Sequence, residues 1–126
     1  MAKLIVSTAD APKPLAGYSQ AVKAGGFVFV AGQGPFDAKS GEVVGETIRE
    51  QTAQCLRNIQ AILRAAGSSL DKAVSATFIL GEESDFAGMN EEWAKWFPTD
   101  PPARQGAKLP IHPKGMKISI ALIAED

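Results

Sequence analysis

The sequence predicts a single α+β domain in which two helices pack on one face of a β-sheet. Two segments repeat apolar residues at three- and four-residue spacing, as amphipathic helices do, and the segments around them are short and rich in β-formers. The length of 126 residues and the apolar fraction of 45% fit one globular unit, and no linker divides residues 1–126.

The first part of the chain is predicted to form short strands joined by Pro- and Gly-rich turns. Residues 3–7 are typical of a strand and residues 9–17 of a loop. Residues 27–31 form an apolar run bounded by glycines, which indicates a strand buried on both faces or at an interface. Residues 35–45 are typical of a turn that carries a short strand.

A long amphipathic helix is predicted between Thr47 and Gly67. Its apolar positions recur every three or four residues, and its arginines lie mostly off that stripe. Cys55 falls on the stripe and is interpreted as a core thiol. Gly67 follows the last apolar position, where a glycine commonly ends a helix.

The rest of the chain is predicted to alternate strands with a second helix. Ala73–Leu80 is predicted as a strand with Val74, Ala76, Phe78 and Leu80 on one face. A second helical stripe runs through residues 86–97 and ends at Pro98. Residues 103–109 and 116–124 are predicted as the last two strands.

Helices on one face leave the other face of the sheet uncovered. We expect the strand at residues 27–31 to present apolar side chains there, and the sequence therefore predicts an oligomer. If that strand is buried between subunits, a charge at Val28 or Val30 should yield monomers or aggregate.

Composition excludes several classes of function. Lys and Arg number 13 against 14 Asp and Glu, and a formal charge of −1 argues against wholesale nucleic-acid binding. The longest apolar run is far shorter than the roughly 20 residues of a membrane span. One cysteine allows no internal disulfide, and no Cys/His cluster suits zinc. Because no signal-peptide pattern is present, we expect a cytoplasmic protein.

Arg104 is the strongest candidate for chemistry that the residues alone indicate. It follows Pro101 and Pro102, which stiffen the approach to a predicted strand. A planar and permanently charged guanidinium held there suits bidentate capture of a carboxylate. The alternative is a surface arginine paired with a carboxylate such as Asp100.

Other polar features have weaker functional interpretations. Residues 101–124 carry four cations and no acid, which fits either an anion site or a solvated strand face. His112 lies in a predicted loop without an acidic neighbour in sequence and is interpreted as a surface histidine. The Gly-Gln-Gly triplet at residues 32–34 precedes Pro-Phe rather than a helix, so we interpret it as a tight turn with exposed amides.

A series of motifs in fixed order resembles the Rid/YjgF family of reactive-intermediate deaminases, also labelled endoribonuclease L-PSP. The likeness covers nearly the whole chain. The motifs are Ala-Gly-Tyr-Ser-Gln at 16–20, Val-Ala-Gly-Gln-Gly-Pro at 30–35, Ser-Gly-Glu-Val at 40–43, Ala-Ala-Gly at 65–67, Asp-Phe at 85–86, Met-Asn at 89–90, the segment 93–97 and Pro-Pro-Ala-Arg at 101–104.

The resemblance implies a chorismate-mutase-like α+β fold, a homotrimer with clefts between subunits, and hydrolysis of 2-imino or enamine acids such as 2-aminoacrylate to 2-keto acids and ammonia. It implies neither a metal nor an organic cofactor. By resemblance, Arg104 binds the substrate carboxylate and Tyr18 closes the cleft from the neighbouring chain. The remaining substrate-binding positions implied in this way are the Ala31-Gly32 backbone, Asn90, Gly106 and Ser119.

Three departures from the family pattern leave the activity open. Active members typically have Ser where Ala31 stands. They usually have Ser at the position of Gln105 and often Cys at the position of Gly106. The last strand normally carries a water-positioning Glu where this chain has Ala121, and Ser119 could hold a water but cannot act as a carboxylate base. The alternative functions are a non-catalytic trimer that binds a small carboxylate or a partner enzyme and, ranked last, a ribonuclease.

The residues alone also leave structural interpretations open for two of these positions. Tyr18 follows Gly17 in a Pro- and Gly-rich loop and could pack its ring with the hydroxyl in water. Asn90 lies one position from the apolar stripe of the second helix and could be exposed without a role.

Overall fold

The computed structural model describes residues 2–126 and contains six strands and two α-helices. Their bounds are β1 Leu4–Val6, β2 Ala21–Ala24, β3 Phe27–Gln33, α1 Ile48–Ala65, β4 Ala73–Leu80, α2 Phe86–Trp96, β5 Ala103–Lys108 and β6 Ile118–Glu125. The strands form one sheet in the order β1-β2-β3-β6-β4-β5. All neighbouring pairs are antiparallel except β4 and β5, which are parallel. The predicted α+β class is confirmed.

Helix α1 begins with a capping box and ends as its sequence predicts. The Thr47 hydroxyl accepts a hydrogen bond from the Glu50 N–H, and the Glu50 carboxylate accepts from the Thr47 N–H. The N–H groups of Thr47 and Glu46, which both donate to this carboxylate, hold the pKa of Glu50 below its ordinary value. Cys55 is fully buried, which raises the pKa of its thiol, and the interpretation as a core thiol is confirmed. Gly67 has φ +82°, a conformation that favours glycine after a helix end.

The sheet has one face under the helices and one uncovered face. Alternate residues of β6 point in opposite directions, and those that face α1 are buried: Ile118, Ile120, Leu122 and Ala124. Ser119, Ala121 and Ile123 lie on the uncovered face and keep partial exposure.

Strand β3 corrects one expectation about the uncovered face. Val28 and Val30 are buried on the helix side, with 0% and 5% exposure, whereas Phe27 and Phe29 are exposed. The run is apolar throughout, so its sequence could not show which set of alternate residues points inward. A charge at Val28 or Val30 would therefore damage the core rather than probe the uncovered face.

Local details of four elements also differ from expectation. Strand β2 was not predicted, because Ala-Val-Lys-Ala has little alternation. Residues 35–45 contain only an isolated bridge between Phe36 and Val43. Gly32 and Gln33 continue β3 instead of forming a tight turn. In β4 the register shifts between Ala73 and Ser75, so that Val74 is exposed while Ala73 is buried.

Candidate active site

Arg104 lies at the start of β5, on an edge of the sheet. It pairs with Ala76 of β4, whose side chain is buried on the helix side, so its own side chain leaves the sheet on that side. The next residue, Gln105, points the other way and its amide donates to the Thr77 hydroxyl at 3.3 Å. Two prolines precede the strand, as the sequence indicates.

Three aromatic rings surround the Arg104 guanidinium. Its central carbon lies 5.0 Å from the ring centroid of Phe78, 5.8 Å from that of Phe86 and 5.1 Å from that of Trp93. These distances are typical of cation–π contacts, which fix the plane of a guanidinium without using its N–H donors.

The N–H donors of Arg104 are not engaged within the part of the chain that the structure describes. Neither a salt bridge nor a hydrogen bond joins the guanidinium to any of residues 2–126, so the alternative pairing with Asp100 is absent. Partial burial lowers the pKa of Arg104, because the charged form loses solvent, yet an arginine stays protonated in proteins. The result is a cationic fork with free donors on an aromatic support.

A cavity of about 410 Å³ lies beside the aromatic support of Arg104, although Arg104 itself does not line it, and we call it the Phe78 cavity. Phe78 and Phe86, which contact the guanidinium, form part of its wall together with Leu80 and Gly106. A Cβ at Gly106 would overlap the ring of Phe78, so the ring fills the room that a side chain would need.

A second cavity of about 390 Å³ contains Tyr18, Gly32 and Ser119, and we call it the Tyr18 cavity. Tyr18 is 51% exposed at its wall. Three lysines, Lys13, Lys39 and Lys114, also line it, which makes the cavity attractive to an anion. One of them is partly neutralised, because Lys114 Nζ lies 2.5 Å from a Glu42 carboxylate oxygen.

The carboxylate of Asp37 also lines the Tyr18 cavity, where a base would be needed. It accepts hydrogen bonds from the N–H groups of Lys39 and Ser40 at 2.9 and 2.8 Å. These bonds hold the pKa of Asp37 below its ordinary value. Asp37 is therefore a weak base, and its carboxylate stabilises the turn at residues 37–40.

A β-bulge positions Gly32 in this cavity. The register with β6 steps from Val30–Leu122 to Gln33–Ile120, so that two residues, Ala31 and Gly32, lie opposite one. The backbone of Ala31 is committed to internal bonds: its N–H donates to Gln20 O at 2.9 Å, and its carbonyl accepts from Gln33 Nε2 at 3.2 Å. Gly32 lines the cavity and Ala31 does not.

Ser119 and Gly32 are in close contact within the cavity. A Cβ on Gly32 would lie 3.2 Å from the Ser119 hydroxyl oxygen, so a larger residue at position 32 would crowd that hydroxyl. Ala121, where the resemblance expects a glutamate, lies on the same face of β6 but does not line the cavity. Position 119 is thus the one from which a carboxylate would reach this space.

Asn90 lies on α2, one turn before Trp93. Residues three apart share a helix face, so its side chain is on the side of α2 that supports Arg104. Its Oδ1 atom is buried and accepts no hydrogen bond from any described group. A buried oxygen without a donor is uncommon in folded proteins.

The predicted residues fall into two groups on opposite faces of the sheet. Tyr18, Gly32 and Ser119 share the Tyr18 cavity, and Ser119 lies on the uncovered face. Arg104 and Gly106 lie on the helix side at the β5 edge. One chain therefore does not bring Tyr18 and Arg104 together.

Sequence reasoning missed the aromatic support of Arg104. The alternation along β4 places Phe78 on one face of the strand and the second helical stripe includes Trp93, but neither pattern connects the two with residue 104. His112 is exposed outside both cavities, and its Nδ1 lies 3.1 Å from the Met116 carbonyl oxygen. Within residues 2–126, acidic, histidine and cysteine side chains form no group of three or more placed to bind a metal.

Comparisons with known proteins agree with this fold. The family model described as Endoribonuclease L-PSP matches residues 8–126. A RutC family protein of Pyrococcus horikoshii is 48% identical over 122 residues, which are 97% of each chain. The chloroplastic Reactive Intermediate Deaminase A of Arabidopsis thaliana is 39% identical over 97% of this chain and 65% of its own length.

Solved structures confirm the predicted architecture. The crystal structure of Escherichia coli TdcF with bound serine superposes with a TM-score of 0.90 at 31% identity and covers 98% of both chains. The family model and the identities together mean that the chain belongs to the Rid/YjgF family, also called the endoribonuclease L-PSP family.

Proposed function

We propose that this protein hydrolyses small 2-imino and enamine acids, such as 2-aminoacrylate, to 2-keto acids and ammonia. The observation that supports this most is the Arg104 guanidinium, which is charged, oriented by three aromatic rings and free of partners within residues 2–126. The relative from Arabidopsis thaliana bears the name of such a deaminase, and the TdcF structure holds serine, an amino acid with a carboxylate.

The reaction needs orientation more than powerful acid or base groups. Two N–H groups of Arg104 would donate to the substrate carboxylate and fix the position of the adjacent C=N carbon. An enamine acid first takes a proton at carbon and loses one from nitrogen, which gives the imine. Water adds to the C=N carbon and passes one proton to the nitrogen. The hydroxyl proton of this adduct then moves to the amino group, and the C–N bond breaks to release ammonia and leave a keto group. An iminium carbon is already electrophilic, so positioning and electrostatic stabilisation supply most of the effect.

The complete site would lie between copies of the chain in a homotrimer. Tyr18 and Arg104 belong to cavities on opposite faces of one sheet, so a neighbouring copy would have to bring its Tyr18 cavity against Arg104. The exposed Phe27 and Phe29 on the uncovered face supply apolar surface for such an assembly. A charged cleft would then contain Arg104 from one copy and the lysines of the Tyr18 cavity from the next.

Water would be held by Ser119 and by backbone groups of the Gly32 bulge. Neither residue is a strong base, and Asp37 is engaged with its own turn. We therefore expect a slow deaminase whose rate depends mainly on how the substrate is held. The chain would act in the cytoplasm, without a cofactor; in residues 2–126, neither helix has the length and hydropathy of a membrane span.

The test is ammonia release from a 2-imino acid that an amino-acid oxidase generates in situ, with a semicarbazide trap to report the imine that remains. We expect the protein to accelerate ammonia release and Arg104→Ala to abolish the acceleration. Arg64→Ala removes an exposed arginine outside both cavities and is the matched control. Activity that persists in Arg104→Ala would contradict the proposed role of Arg104.

A non-catalytic function remains the second candidate because no free carboxylate lines the Tyr18 cavity within the described chain. In that case the protein would bind a small carboxylate without hydrolysis, or associate with a partner enzyme that uses one. Binding of a 2-keto acid that depends on Arg104, with no accelerated ammonia release, would favour this function over the deaminase.

A further inference from the structure

Phe78 and Phe86 connect Arg104 with the neighbouring cavity. Both rings contact the guanidinium, at 5.0 and 5.8 Å, and both also line the Phe78 cavity. The two rings lie 5.9 Å apart, centroid to centroid. A ligand whose carboxylate is bound by Arg104 therefore has an aromatic wall directly beside it.

The strand pairing gives this cavity a direction. Arg104 pairs with Ala76, Gly106 with Phe78 and Lys108 with Leu80, so the three pairs succeed one another along β4 and β5 on the same face. Two residues of a strand span about 7 Å, so each of these pairs lies about that far from the one before it. The cavity thus begins at the two rings that contact Arg104 and extends past Gly106 toward Leu80.

Gly106 allows an aromatic ring to form the wall of the Phe78 cavity. The Phe78 ring lies over Gly106 so closely that a Cβ there would overlap it. With any larger residue at position 106, the ring would have to turn away and the wall would change shape. Phe78 and Gly106 therefore determine the cavity together.

The volume is much larger than a small substrate needs. About 410 Å³ lies in the range of roughly 300–1,000 Å³ typical of ligand pockets. Phe78, Leu80 and Phe86 make the part nearest Arg104 apolar, and the charged Glu82, Glu83 and Lys108 belong to the ends of the strands or follow them. An apolar side chain of several carbons would be buried there, whereas a methyl group would leave the space filled with water.

We propose that Phe78, in the conformation that Gly106 permits, forms a side-chain subsite that makes the protein selective for 2-imino acids with large apolar side chains. This inference rests on the proposed function, because it assumes that Arg104 binds the substrate carboxylate. Phe78 acts as a specificity-determining residue: it contacts the substituent of the substrate and takes no part in the attack of water.

Stable 2-keto acids, the products of the proposed reaction, test the subsite by binding alone. Isothermal titration of the whole protein compares pyruvate, 4-methyl-2-oxopentanoate and phenylpyruvate. We expect the two larger acids to bind at least about tenfold more tightly than pyruvate, since each buried methylene in a pocket contributes severalfold or more. Phe78→Val should reduce this ratio several-fold, and Gly106→Ala should reduce it by displacing the ring.

Two control variants separate the subsite from general damage. Val74→Ala shortens an exposed residue of the same strand outside both cavities and should leave the ratio unchanged. Phe78→Leu keeps more of the apolar volume and replaces Phe78→Val if circular dichroism shows that the latter has unfolded. The decisive quantity is the ratio of the affinities for the larger acids to that for pyruvate. Loss of support for Arg104 would lower the affinity for all three acids together and leave this ratio unchanged.

The possible failures are distinguishable. The wild-type protein could bind all three acids with equal affinity and lose pyruvate binding in Arg104→Ala. That result would overturn the subsite and leave the proposed function intact. A preference for large acids that survives both Phe78 variants would also overturn it. If none of the three acids binds, or if Arg104→Ala binds them normally, the proposed function fails and the subsite fails with it.

Discussion

Arg104 combines two interactions that lysine cannot reproduce together. Its plane is held by the rings of Phe78, Phe86 and Trp93, and its parallel N–H groups remain available for a carboxylate. We predict that Arg104→Lys lowers kcat/KM for imine hydrolysis by about 100-fold, nearly as much as Arg104→Ala, because bidentate geometry is lost. Steady-state kinetics on both variants measures this. Near-normal activity in Arg104→Lys would mean that charge alone suffices.

Ser119 is the residue where a base could be restored. It lines the Tyr18 cavity, whereas Ala121 on the same face does not. We predict that Ser119→Glu raises the rate of ammonia release by about tenfold or more, since a carboxylate there can accept a proton from the attacking water. Ser119→Gln controls for size and Ala121→Glu for charge. The idea fails if Ser119→Glu is no faster than both controls.

At the residue scale, the sequence indicated the candidate anion-binding group better than its surroundings. Arg104 could be singled out because two prolines and a strand start fix its position locally. Its aromatic neighbours come from β4 and α2, and contacts between distant elements leave no local pattern. Tyr18 was indicated by resemblance alone, and its structural environment depends on the Gly32 bulge and β6.

Helix α1 illustrates how an element can be predicted almost completely. Its apolar stripe and terminal glycine are local signals that agree, and the observed helix Ile48–Ala65 lies inside the predicted limits. Strand β2 and the bulge in β3 left no such signal. Strand β2 forms because it pairs with β3. The bulge forms because two residues of β3 lie opposite one residue of β6.

The capping box of α1 predicts a pH-dependent contribution to stability. Its backbone donors lower the pKa of Glu50 in the folded protein, so the ionised form stabilises the fold above the ordinary pKa near 4.5. That stabilisation is lost as the pH falls through the lower native value. We predict that Glu50→Gln lowers Tm at pH 7 but changes it much less at a pH below the native pKa of Glu50. Thermal unfolding at both pH values measures the difference, and an equal loss at both would contradict the charge effect.

The uncovered face of the sheet is where we expect whole molecules to associate. Phe29 is 44% exposed, pairs with Ile123 across β6 and with Val22 across β2, and lies 6.4 Å from the Phe27 ring. Such a patch favours association, and a charge buried within it costs free energy. We predict that Phe29→Glu is monomeric by light scattering after size exclusion, while Phe29→Leu remains trimeric. A trimeric Phe29→Glu would place the interface elsewhere.

The division of the site between two faces leads to a prediction that only an assembly can fulfil. If each site takes Arg104 from one copy and Tyr18 from its neighbour, Tyr18→Ala and Arg104→Ala are each inactive alone but complement one another in mixed trimers. Co-refolding them in equal amounts should restore about a quarter of the wild-type activity, because a site is intact only when its arginine comes from a Tyr18→Ala chain and its tyrosine from an Arg104→Ala chain. Each variant refolded alone is the control, and differential tags allow the mixed trimers to be purified. A site built within a single chain would give no recovery, because every chain in the mixture lacks one of the two groups.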